Sequence, residues 1–185
     1  MVASPLEAIA YLKAEVSAAD PAPVVSLSDE DSPVLKQLGG GLVVAYLMDE
    51  GDRFSYVQGR DLRVAGVGAE QLHTHALVNL QHLAEGKVTL RQSGPTWALF
   101  FDGNFEASLI LLDEMWDSSL GSYHHGDPVI ALPTRDVLCF CDASSSAGVA
   151  ELRAVVSRLW PSGDHLISDQ LFRRRNGVWV RYLDS

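Results

Sequence analysis

The apolar pattern is densest between residues 97 and 142. Trp97-Ala98-Leu99-Phe100-Phe101 runs into Asp102-Gly103-Asn104, and Phe105 to Trp116 then place apolar side chains around most of a helical circumference. Val129 to Leu132 and Val137 to Cys141 are apolar at odd and even positions alike. A helix apolar all round is a buried helix, and a strand apolar on both faces is a covered strand. The pattern therefore predicts strand, helix and strand as the centre of the fold.

Around this centre the periodicities are mixed. Ser4 and Pro5, with Glu7 three residues after the serine, form a capping-box signature. The stripe Leu6, Ile9, Ala10, Leu12 and Val16 then predicts a helix over 5–19, ended by Asp20-Pro21. An irregular segment, 20–41, follows. Its Gly39-Gly40-Gly41 precedes the strand Leu42 to Met48 and lacks the Gly-Lys-Ser/Thr of a phosphate loop, so it reads as a turn. Asp49 to Asp52 turn the chain back into Phe54 to Val57. Residues 69–85 repeat Leu72, Ala76, Leu80 and Leu83 on one helical face, with Gly86 as the stop. Residues 87–92 alternate and turn at Ser93-Gly94-Pro95 into the 97–101 strand as a hairpin. A third helix spans 147–160, capped by Ser145 or Ser146. Asn176-Gly177 joins the last two strands with the strongest short hairpin signal in the chain. These elements add up to an α+β domain over 1–185, a mostly antiparallel twisted sheet with helices packed on one side.

Charge narrows the function classes. The 185 residues carry a formal net charge of −10. That field repels a nucleic-acid backbone and an anionic membrane surface, and it favours a basic protein as partner. No run of about eighteen apolar residues predicts a membrane span, and no cationic start leads into an apolar block, so a cytoplasmic protein is expected. Cys139 and Cys141 read as reduced, buried side chains on one face of a strand. Neither a metal nor another cofactor is predicted, because no further soft ligands accompany the cysteines.

Few residues are candidates for chemistry. His73 and His75 diverge on their helix, while His75, Asn79 and His82 form a polar stripe. His124 and His125 sit in a loop beyond the buried centre, with Asp127 beside them. Glu106 stands near the start of the buried helix, where a carboxylate satisfies free amides. Arg135 and Asp136 precede a buried strand, and an ion pair of Arg135 with Glu106 is the structural expectation. Arg173, Arg174 and Arg175 are the cationic run of an acidic chain. Arg174 faces Trp179 in the two-residue-loop register. The run either meets the chain's own carboxylates, which the net charge favours, or holds an anionic ligand.

From Leu42 onward the chain resembles the YtpQ-like bacterial family of unknown function. The resemblance is carried by Phe54-Ser55-Tyr56-Val57 with Asp61-Leu62, and by the helix Leu72 to Leu83. It continues in Asn104 to Leu111 and in Val129 to Asp142 with Pro133-Thr134-Arg135-Asp136. It implies a cytoplasmic α+β fold and brings no activity. The sequence is therefore read as a non-catalytic protein-binding module, in concrete form an immunity or adaptor protein that masks a basic partner. The alternative is a small-molecule enzyme whose cleft gathers Glu106, Arg135, Asp136 and His124 or His125.

Overall fold

The computed structural model describes residues 4–15 and 28–183. Its α+β architecture is built on two antiparallel sheets. The centre of the first is β3 (Leu42–Asp49), whose first six side chains are all buried. β1 (Ile9–Ala14) pairs along one edge of β3, with Ala10 opposite Tyr46 and Leu12 opposite Val44. β2 (Lys36–Gly39) and β4 (Phe54–Tyr56) share the other edge. Gly39, Gly40 and Gly41 link β2 to β3 at φ of 91°, 67° and 85°, the left-handed region that glycine enters without cost. The turn that the sequence predicts is therefore there. At Gly40 a Cβ would also come within 2.8 Å of the Phe172 ring.

The chain start departs from expectation. Ser4 does cap, accepting the Leu6 amide at 3.3 Å, and Pro5 does open a helical turn. That turn closes after Glu7, and the chain then extends as β1 instead of a helix over 5–19; residues 16–19 lie outside the described residues. Ala10 and Leu12, at alternate positions, are fully buried against β3 and what lies behind it. The segment reads at both periods, and six residues of pairing with β3 outweigh one capping box. Asn79 anchors the entry by donating to the carbonyls of Leu6 and Ala8, both at 2.8 Å. The irregular segment 20–41 likewise contains β2 and a bridge from Pro33 to Gln58; its residues 20–27 lie outside the described residues.

Two helices follow the first sheet. α1 (Gly59–Ala65) was not legible in the sequence pattern, whereas α2 (Ala69–Ala84) buries the expected Leu72, Ala76 and Leu80. The second sheet has six strands: β5 (Thr89–Ser93), β6 (Thr96–Phe100), β7 (Pro128–Ala131), β8 (Leu138–Asp142), β9 (Leu171–Arg175) and β10 (Val178–Arg181). Their order is β10-β9-β7-β8-β6-β5, every pair antiparallel. Both predicted hairpins are present, and Asn176 and Gly177 take φ of 50° and 77° at the tip of the second. α3 (Ser146–Leu159), capped by Ser145, covers one face of this sheet through Val149, Leu152 and Val156 against Val129, Ala131, Cys141 and Leu171. On the other face Ile130, Leu138, Phe140 and Phe172 merge with the core of the first sheet and α2.

The predicted buried helix over 105–116 is buried but not α-helical. A tight 3₁₀ segment, Ala107–Leu111, gives way to a wide π segment, Met115–Ser119, and then to a 3₁₀ turn, Gly121–Tyr123. Two indoles bond to carbonyls at the break. Trp116 Nε1 donates to the Leu109 carbonyl and Trp179 Nε1 to that of Ile110, both at 3.0 Å. Those are carbonyls an α-helix would need for its own ladder. The rings themselves stand edge to face, 5.0 Å apart.

Candidate functional site

The broken helix has a second side. Between it and α2 opens a hollow of about 790 Å³. α2 supplies Leu77, Val78 and Ala84, the β5–β6 hairpin supplies Leu90 and Leu99, and the irregular wall supplies Leu111, Leu112, Met115, Leu120 and Tyr123. Glu85, Asp113 and Glu114 stand exposed on its rim. Val78 and Tyr123 are 44% and 40% accessible, so the apolar lining reaches solvent. Asp113 is held in place by Arg174, whose Nη2 reaches its carboxylate at 2.8 Å. Arg174 also pairs with Asp117, one turn further along the π segment, and that contact holds the Asp117 carboxyl below its ordinary range. The wall is thus braced by one buried guanidinium.

Of the sequence candidates only the exposed His82, on α2, lines this groove. Glu106 is 4% accessible; its Oε1 accepts the amides of Phe101 at 2.9 Å and Gly103 at 2.8 Å, while Oε2 has no partner. The expected ion pair with Arg135 does not form; the carboxylate is held by backbone donors at Oε1 alone. Arg135 instead lines a small hollow with Tyr11, and Asp136 is exposed beside it. His124 and His125 lie at the other end of β8: the His125 amide donates to Asp142 at 2.5 Å, and His124 Nδ1 meets the Gly126 carbonyl at 2.6 Å. Arg135–Asp136 and the two histidines are thus separated by the length of a five-residue strand, on the order of 13 Å. The four residue groups of the alternative cleft do not gather around one hollow.

The basic run divides by the pleat. Arg173 and Arg175 point to the α3 face, where Asp127 receives Arg173 at 2.9 Å and Arg175 at 3.9 Å; Arg174 points to the opposite face. The register that sets Arg174 opposite Trp179 is as expected. Its guanidinium, however, goes to two aspartates and not to the indole. Of the helix polar stripe, His75 and His82 are exposed, Asn79 is structural, and His73 Nδ1 meets the Tyr46 hydroxyl at 3.1 Å. Burial pushes the thiols of Cys139 and Cys141 up to about 11, and both cysteines are free.

Comparison adds one relative. The chain is 27% identical to UPF0354 protein BH3252 of Halalkalibacterium halodurans over 136 residues. The match covers 72% of this chain and 51% of that protein, so the chain spans about half the length of the curated relative it matches. It supports a likeness to a bacterial family of unknown function and does not carry the YtpQ name. No family model matches, and no solved structure matches. No helix among the described residues is long and apolar enough to cross a membrane.

Proposed function

We propose that this chain is a non-catalytic protein-binding module that takes an apolar, basic segment of a partner protein into the groove beside α2. The YtpQ-like reading, a cytoplasmic setting and an immunity or adaptor role all belong to this proposal. One observation carries it: a 790 Å³ groove with an apolar floor and the carboxylates Glu85, Asp113 and Glu114 on its rim, in a chain of net charge −10. An apolar floor with a charged rim is the anatomy of a protein-binding surface. An amphipathic helix docks in such a groove through residues spaced i, i+3, i+4 and i+7. Lysines on its flanks would meet the rim, speeding encounter more than adding affinity.

A Leu/Lys helical peptide with that spacing is a direct probe. Calorimetric titration should show saturable binding that weakens as salt rises. Val78→Lys, which puts a like charge on the groove wall, should weaken it by about tenfold. Absence of saturable binding, or binding indifferent to Val78→Lys, would sink the proposal.

A further inference from the structure

A second hollow, unrelated to the groove, lies where the two sheets meet. Pairing in the first sheet sets Leu47 opposite both Ile9 and Tyr56, which places Tyr11, Lys13, Phe54 and Tyr56 on one face. That face meets Phe105, whose ring lies edge-on to Tyr11 at 5.5 Å and to Phe54 at 5.7 Å. A hollow of about 110 Å³ opens among these rings, with Asn104, Arg135 and His165 completing it. Arg135 and His165 also line a neighbouring hollow of about 280 Å³, which runs on to Asp136 and Asp164.

The hydrogen-bond accounting of the smaller hollow is one-sided. The Tyr11 hydroxyl faces the hollow beside the Arg135 guanidinium, whose charge acts on it, and the Tyr56 hydroxyl accepts from Lys13 Nζ at 2.8 Å. A phenol oxygen that accepts from a cation keeps its own proton to give. Two phenols, the Arg135 guanidinium and the His165 imidazole therefore line one hollow, with Lys13 reaching its edge through Tyr56 and His165 Nε2 standing 3.5 Å from the Asp164 carboxylate. Among the described residues no carboxylate lies within ion-pair distance of Arg135 or Lys13, although the chain carries ten more acids than bases. His165 is fixed there in the left-handed region, at φ 51°, with its carbonyl accepting the Arg135 amide at 3.2 Å. A non-glycine residue held in that region costs roughly 1 kcal/mol and is over-represented at ligand sites.

We infer that this junction binds the phosphoryl group of a small phosphate monoester, with the hydroxyl-bearing remainder of the ester extending toward Asp136 and Asp164. Donors this numerous suit three phosphoryl oxygens better than the two of a carboxylate. The small hollow admits one such group. The two aspartates accept hydrogen bonds from hydroxyls and repel a second anionic group, so a phosphodiester polymer is selected against.

Calorimetry on the full chain with three probes tests this: inorganic phosphate, glycerol 3-phosphate and phenyl phosphate. Glycerol 3-phosphate should bind saturably and more tightly than either of the others. Arg135→Gln should weaken it about tenfold and Tyr56→Phe several-fold, while Arg91→Gln, over the Phe100 ring on β5, should change nothing. No saturable heat up to roughly 10 mM of any probe, or full affinity in a folded Arg135→Gln, overturns the inference. If Arg135→Gln does not fold, Tyr56→Phe decides. Weakened binding at an unchanged melting temperature upholds the inference, and unchanged binding overturns it.

Discussion

Glu106 shows what a single buried carboxylate does in this protein. It closes the loop after β6 by accepting two amides, so it replaces backbone pairing that the loop cannot make for itself. Glu106→Ala leaves both amides without a partner and should cost about 2–4 kcal/mol in urea unfolding; Glu106→Gln keeps an acceptor and should cost less. Asp142 acts through pH. Hydrogen bonds from the Ser144 hydroxyl and amide, and then from the His125 amide, hold its carboxyl down to about 2. A depressed folded pKa stabilises above the unfolded value and is lost as pH falls through the folded one. The urea midpoint should therefore drop between about pH 4 and pH 2, and Asp142→Asn should flatten that part of the curve. The two cysteines resist chemistry for the opposite reason, since burial keeps them as thiols. At pH 8 a thiol reagent should label the buried Cys141 at the rate of unfolding, and the half-buried Cys139 faster than Cys141 but slower than a free thiol.

At the scale of elements, what the sequence made legible is what local chemistry decides. Ser145, Asn176-Gly177 and the three consecutive glycines each announce a cap or turn that forms, and the Leu72–Ala76–Leu80 stripe announces α2. What was not legible is decided by partners distant in sequence. Residues 9–14 are a strand because β3 is there to pair with, and in residues 107–119, which leave the α-ladder, the carbonyls of Leu109 and Ile110 accept from two tryptophans. The groove could not be read at all: its floor is assembled from α2, a hairpin and a distorted wall, each apolar for reasons that serve a core equally well. Arg135 stood out by its place before a buried strand, but its true neighbours, Tyr11 and His165, come from segments far from it in the chain. Gly148 tests the packing of α3 on its sheet. Alanine in a helix interior ordinarily gains about 1 kcal/mol over glycine. Here a Cβ would lie 2.7 Å from Cys141 Cβ and 2.9 Å from its sulfur. Gly148→Ala should therefore destabilise by about 1–3 kcal/mol, seen as a lower melting temperature.

The whole molecule joins its two sheets through one continuous core, and two hollows of opposite character open at its surface. The groove beside α2 is apolar with an acidic rim, and the junction at Arg135 is ringed by donors. Their separation makes the two proposals independent: Val78→Lys should leave phosphate-ester binding intact, and Arg135→Gln should leave peptide binding intact. The same separation explains why the sequence candidates fail to meet, since they are distributed over both ends of β8 and both faces of its sheet.

The groove also has one firm side and one soft side. α2 keeps a regular i to i−4 ladder, whereas the stretch opposite it changes pitch twice within about a dozen residues and leans on Arg174 and two indoles. Amide protons between Asp113 and Tyr123 should therefore exchange with deuterium well before those of α2. A bound peptide should slow that exchange selectively, leaving an imprint of occupancy in a stretch of backbone and not only in a binding isotherm.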